Sequence, residues 1–205
     1  LAAAAVSCAQ NEDDFKYLVD EFADLKIMRY KVPGWDNLTL QQKEYVYHLA
    51  EAAKYGRDII WMQNCKYNLQ VRKALENILE NYKGDRTCDD FKKFETYAKR
   101  VFFSNGIHHH YSMDKFIPEF SAEFFATQIK ALAPESLPLN GQSVDEMIAE
   151  LTPVIFDPTV MAKRVNQAEG QDLITTSANN LYDGVTQAEV EAYFAALKNP
   201  NDTTP

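Results

Sequence analysis

The sequence predicts an all-α fold, a compact multi-helix lobe of about eight helices, and three observations predict it. Apolar residues recur with helical spacing along most of the 205 residues. Helix-start patterns stand where such stretches begin, at Thr39, Ser143 and Thr186. Strand-like alternation is weak, with Ile174-Thr-Thr as the one modest candidate. A composition 46% apolar and 25% charged, with 12 Phe and 11 Tyr, supplies the material for a core.

Taken in order, Phe15, Leu18, Val19, Phe22 and Leu25 form one apolar stripe of a first helix, stopped by Pro33-Gly34. Thr39-Leu-Gln-Gln42 opens a second, carrying Tyr45, Leu49, Ala52 and Ala53, and Ile59-Ile-Trp-Met62 is a buried run that continues helical or turns extended. His48 falls on this apolar helix and reads as a core histidine. The next helix spans about 68–82, with Val71, Leu75, Ile78 and Leu79. Another begins near Thr87 and aligns Phe91, Phe94, Ala98, Val101 and Phe102. Phe124, Phe125, Ile129 and Leu132 mark a further helix before the Pro134–Pro138 loop. Ser143-Val-Asp-Glu146 caps the next, and Asp157-Pro158 reads as the start of a short helix through Val165. Thr186-Gln-Ala-Glu189 caps the last, bearing Val190, Tyr193, Phe194 and Leu197.

The two ends differ in character from this body. Residues 1–11 read as a truncated signal or lipobox leader, in which Leu1-Ala-Ala-Ala-Ala-Val-Ser precedes Cys8 as the lipidated residue. Residues 12–198 form the helical lobe, and 199–205 are a polar tail cut from a following part, so a piece of a longer protein in a bacterial cell envelope is expected. Contact with membrane would then come only through that lipid anchor, because the apolar run is too short to span a bilayer. Cys65 and Cys88 are left either to pair or to stay free.

Several chemistries are excluded by absence of their strings. A net charge of −9 without a basic stripe excludes nucleic acid as a partner. No H-E-x-x-H, G-x-S-x-G, P-loop or C-x-x-C occurs, so the sequence assigns neither a catalytic residue nor a metal site to this polypeptide. Asp13-Asp14 and Asp89-Asp90 sit at predicted helix starts, where carboxylates favour the dipole. Asn64, Asn68, Asn179 and Asn180 read as turn or cap residues.

One stretch resists a structural reading. Ser104-Asn-Gly-Ile-His-His-His-Tyr-Ser-Met-Asp-Lys-Phe116 holds three of the four histidines. Adjacent side groups diverge, which disfavours one metal site from His108, His109 and His110. A ligand-facing loop is favoured instead. Asn105 and Gly106 would form its turn, exposed imidazoles would serve as donors and acceptors, and Tyr111 would be an aromatic wall.

Three blocks, in order, carry a resemblance. Tyr45-Val-Tyr-His-Leu-Ala-Glu-Ala-Ala-Lys-Tyr-Gly56 with Arg57-Asp-Ile-Ile-Trp-Met-Gln63 comes first, then Ser104-Asn-Gly106 through Lys115-Phe-Ile-Pro118, then Tyr182-Asp-Gly-Val-Thr-Gln-Ala-Glu189. Together they resemble the N-terminal portion of the dipeptidyl-peptidase III family, in its bacterial branch. The resemblance implies a two-lobed zinc aminopeptidase that removes dipeptides from the N-termini of peptides. Its H-E-x-x-x-H helix, later glutamate and amino-terminus-binding residues would lie in the missing catalytic lobe. The cofactor is then zinc in the full-length parent and none in this portion, which should be inactive alone. What the resemblance places here is a cleft wall and a substrate-side loop at Asn105, Gly106, His108, His109, His110 and Tyr111, with peptide substrates as partners. The loop is one residue shorter than the eukaryotic pattern. The competing reading is a stand-alone helical envelope lipoprotein binding peptide or metal through His108–Tyr111, and the third is a purely structural domain.

Overall fold

The computed structural model describes residues 15–198, and the polypeptide divides into two compact units whose boundary falls after Val46. The first unit opens on a β-hairpin and not on a helix. Strand β1, Leu18–Phe22, pairs antiparallel with β2, Leu25–Met28, in the register Phe22↔Leu25, Glu21↔Lys26, Asp20↔Ile27 and Leu18↔Met28, with an irregularity between Leu18 and Asp20. The apolar stripe that suggested a helix fits a 3.6-residue period, but Ala23 takes φ 50 and closes a two-residue turn that no helix accommodates. Opposite charges then face across the ladder, with Lys26 Nζ 4.0 Å from Glu21. The ladder extends by the Arg29 amide donating to the Tyr17 carbonyl at 2.9 Å, and the Arg29 guanidinium lies 4.6 Å over the Phe15 ring. A 3₁₀ turn at Trp35–Asn37 follows Pro33-Gly34.

Helix α1, Leu40–Tyr55, runs across the unit boundary. The Thr39 amide donates to Gln42 Oε1 at 2.9 Å and the Gln42 amide donates to Thr39 Oγ1 at 3.3 Å, the expected capping box. None of its residues is buried. His48 is therefore no core histidine. It is exposed and packs edge-on to Tyr47 at 5.4 Å.

The second unit holds the core. Its helices are α2 (Arg57–Asn64), α3 (Asn68–Asn81), α4 (Asp89–Ser104), α5 (Ala122–Lys130), α6 (Val144–Phe156) and α7 (Gln187–Leu197). With α1 this makes seven among the described residues, against the eight expected. Helix α3 packs on α2, α4 and α5, and α5 packs on α6. The apolar positions Val71, Ala74, Leu75 and Ile78 of α3 and Phe91, Phe94, Ala98 and Val101 of α4 are all buried, as their spacing required. Between them lies an aromatic cluster in which Phe94 meets Phe120 edge-on at 5.3 Å and Tyr82 stacks on Phe91 at 4.4 Å. Each fully buried ring contributes roughly 1.5–3 kcal/mol through removal from water. Cys65 and Cys88 are free thiols, and burial raises the Cys65 pKa.

Helix α6 starts at the reciprocal Ser143–Glu146 box and α7 at the Thr186–Glu189 box, both as expected. Two further expectations fail for local reasons. Asp157 does not start a helix. It ends α6, and its carboxylate accepts from the Thr159 amide and hydroxyl at 2.8 and 2.7 Å in a turn. Ile174-Thr-Thr is no strand, because Asp172 Oδ1 accepts from the Ile174 and Thr175 amides and curls the segment into a turn. The path from 157 to 186 is thus a coil of turns, several held by Asp carboxylates. It returns to α2 where the Asn180 amide donates to the Gln63 carbonyl at 2.8 Å.

No helix among the described residues is long and apolar enough to cross a membrane. Cys8 and the 1–11 leader, Asp13-Asp14 and the 199–205 tail lie outside the described residues.

Candidate functional site

The loop that follows α4 is built by asparagines. Asn105 ends α4 in the left-handed region at φ 53, and Gly106 follows at φ 151 with its amide donating to the Val101 carbonyl at 3.0 Å. Asn68, the first residue of α3, is wholly buried behind this turn. Its Nδ2 donates to the Trp61 carbonyl at 3.1 Å, and its Oδ1 accepts from the Ile107 amide at 3.2 Å. Asn64 Nδ2 donates to the Asn105 carbonyl at 3.0 Å. The two asparagines expected as local caps are therefore staples between the α2–α3 junction and the loop. Their types fit the role, since a carboxamide donates and accepts at once.

The far side of the loop is zipped to the coil after α6. The Lys115 amide donates to the Ala162 carbonyl at 3.1 Å, and the Arg164 amide donates to the Met113 carbonyl at 2.9 Å. The Lys163 ammonium lies 2.7 Å from Asp114, a pairing that holds the Asp114 carboxyl below its ordinary range. The Lys115 stem runs inward, the residue only 8% exposed, and its ammonium donates to the carbonyls of Pro153 at 3.4 Å, Val160 at 2.8 Å and Asp157. It thereby ties the end of α6 to the turn after it, adding a second donor to the Pro153 and Asp157 carbonyls that the Asp157 and Val160 amides already reach. Burial lowers its pKa to about 8, opposed by attraction to Asp157.

The three histidines separate into different roles. His108 is 1% exposed, not the exposed imidazole expected. Its Nε2 lies 2.7 Å from the Met161 carbonyl, which fixes Nε2 as the protonated nitrogen and leaves Nδ1 a buried acceptor without a partner. Desolvation depresses its pKa to about 4, so the ring is neutral through the physiological range. His109 turns back on its own loop, where Nδ1 accepts from the Tyr111 and Ser112 amides at 3.1 Å each. His110 stacks on His109 at 4.6 Å and meets Phe103 edge-on at 5.2 Å, while its carbonyl accepts from Arg164 Nη2 at 3.2 Å. Tyr111 alone stands clear, 83% exposed, with its ring 5.1 Å from that of His110.

Chemically, this is a rigid platform that presents one phenol beside a half-buried imidazole. Gly106 and His108 are buried and Asn105 is half-buried, whereas His110 is half-buried and Tyr111 is exposed. Among the described residues, no group of three His, Cys, Asp or Glu residues could hold a metal ion. Cavities also lie elsewhere among the described residues. One, of about 340 Å³, is lined by Lys66, Ser177, Asn179, Asn180 and Tyr182 among others, and one of about 380 Å³ lies between Tyr82 and Leu132.

Sequence reasoning missed Asn64, Asn68, Lys115 and Arg164 as loop-holding groups. Lys115 carried a weak signal, a lysine set between Asp114 and the apolar Phe116 and Ile117. No protein-family profile matches this sequence, and no curated protein matches it significantly.

Proposed function

We propose that this polypeptide is the N-terminal, non-catalytic portion of a zinc dipeptidyl peptidase of the dipeptidyl-peptidase III kind, which removes dipeptides from peptide N-termini. In this reading it contributes a cleft wall and a substrate-side loop. The peptide meets Tyr111 and His110, while Asn105, Gly106, His108 and His109 hold the loop in shape. The observation that supports it is the loop itself. The block Ser104–Pro118, one of the three that together carry the resemblance, is the segment stapled by Asn68 and by Lys115, and it leaves Tyr111 as its most exposed aromatic. A phenol held on a rigid base binds at low entropic cost, which suits recognition better than chemistry.

The residues present do not fit a zinc site. There is no H-E-x-x-x-H string and no cluster of three candidate ligands among the described residues, so the metal would be held by the catalytic lobe of the same polypeptide. A bacterial envelope location, anchored through Cys8, belongs to the same reading. The test is hydrolysis of a dipeptidyl arylamide, with zinc content, by the product of the complete reading frame and by residues 1–205 alone. Activity and stoichiometric zinc in the complete protein, with neither in residues 1–205, is the expected result. A complete product without zinc and without hydrolysis overturns the proposal and leaves a helical envelope protein that binds ligand through the loop.

A further inference from the structure

The sequence contains two Asn-Gly pairs, Asn105-Gly106 and Asn140-Gly141, and the fold treats them in opposite ways. We propose that Asn140 is a site of spontaneous deamidation in the folded protein, and that the fold protects Asn105 from the same reaction.

The chemistry sets the geometric demands. The backbone nitrogen of the glycine, losing its proton, attacks Cγ of the asparagine. A new bond forms between that nitrogen and Cγ, the bond from Cγ to Nδ2 breaks, and ammonia leaves. Water then adds to either carbonyl of the resulting five-membered succinimide and opens it to aspartate or isoaspartate. The net exchange is one water taken up for one ammonia released, with no change of oxidation state. The glycine nitrogen must therefore be free of hydrogen bonds, unshielded by a neighbouring Cβ, and part of a backbone that can rotate.

Asn140-Gly141 meets these demands. The pair lies on the surface, in the loop between the Pro134–Ser136 3₁₀ turn and α6, at φ 53 and 89. A Cβ built on Gly141 would touch nothing within 4 Å, and its amide donates to no backbone group among the described residues. The turn is closed by one bond, from the Gln142 amide to the Leu139 carbonyl at 2.9 Å. Local opening of such a segment requires far less than global unfolding.

Asn105-Gly106 fails on the hydrogen bond and on the rotation. Gly106 is buried, and its amide is committed to the Val101 carbonyl at 3.0 Å. The Asn105 carbonyl is held by Asn64, and Asn68 lies against the glycine, so the backbone rotation that brings Cγ to the nitrogen is blocked. Conversion at 140 has a structural consequence as well. Asn140 lines a cavity of about 340 Å³ with Gln70, Gln142 and Glu150, where Gln142 Nε2 donates to Glu150 at 2.6 Å. A second carboxylate would then line this cavity together with Glu150 and Lys66.

The test is peptide mapping by mass spectrometry after incubation in mildly alkaline buffer, native and in denaturant, with folding verified by circular dichroism. In the native protein the peptide bearing Asn140 should gain the mass of oxygen exchanged for NH and split into aspartate and isoaspartate forms. The peptide bearing Asn105 should convert roughly tenfold more slowly or not at all, as expected where reaction needs opening of a buried segment. In denaturant the two should convert at comparable rates, and Asn140→Ser should abolish the native product. An intact Asn140 in the native protein, or equal native rates at the two sites, overturns the proposal.

Discussion

A Cβ on Gly106 would lie 2.3 Å from Nδ2 of Asn68, closer than any unstrained contact allows. The glycine is thus required twice, by its φ of 151 and by the carboxamide packed against it. Gly106→Ala should cost about 2–4 kcal/mol, because either the loop or the buried Asn68 must move. Asn68→Leu keeps the volume but strands the Ile107 amide, and should cost about 1–3 kcal/mol. Urea denaturation monitored by circular dichroism reads both. An unchanged midpoint for either variant would mean that the staple contributes nothing.

His108 makes stability depend on pH in a defined window. Its pKa falls from an ordinary 6.5 to about 4 on folding, so the unfolded state takes up a proton first as the solution acidifies. The contribution is fully present above pH 6.5 and is lost as pH falls toward 4, with a total on the order of 2–3 kcal/mol. His108→Gln retains a donor toward the Met161 carbonyl and removes the titration. The variant should therefore show a flatter acid limb in thermal melts between these pH values.

Lys115 has the opposite position on the pH scale. Its pKa drops from 10.5 to about 8 on folding, so above pH 8 the folded protein sheds a proton that the unfolded state retains. Stability from this group should rise between pH 8 and 10.5, by on the order of 3 kcal/mol, since the buried charge no longer needs to be desolvated. Lys115→Met should abolish the rise, as thermal melts across that range would read. It should also destabilise the protein at neutral pH by taking from the Val160 carbonyl its Lys115 donor.

Tyr111 should behave differently from all of these. At 83% exposure, Tyr111→Ala should change stability by no more than about 0.5 kcal/mol. In the proposed full-length peptidase it should raise KM more than it lowers kcat, as should His110→Ala, because these groups would bind substrate without performing chemistry. Loss of zinc from either variant would reassign them.

The legible parts of the fold were the local ones. The capping boxes at Thr39, Ser143 and Thr186 formed because a hydroxyl and a carboxylate or carboxamide three residues apart satisfy amides that no other group reaches. The stripe Phe15 to Leu25 misled because its spacing fits a helix, while the deciding event, a left-handed Ala23, leaves no mark in a periodicity. Asp157 and Asp172 each competed with regular structure through their own carboxylates, a choice made by geometry two residues away. At the loop, the histidine run drew attention to the segment, but which ring is buried depended on Met161, 53 residues later. Asn68 likewise reads as a cap in sequence and acts on an amide 39 residues away.

Such separations also impose an order of events on folding. Helices α3 and α4 follow each other in sequence and pack together, so that pair can form early, whereas the loop needs the end of α6 and the coil beyond it to be in place before His108 and Lys115 have partners. The presentation of Tyr111 is therefore expected among the last features acquired. A nascent polypeptide would stay without it until well past residue 164 had been synthesised, whatever helices it already possessed.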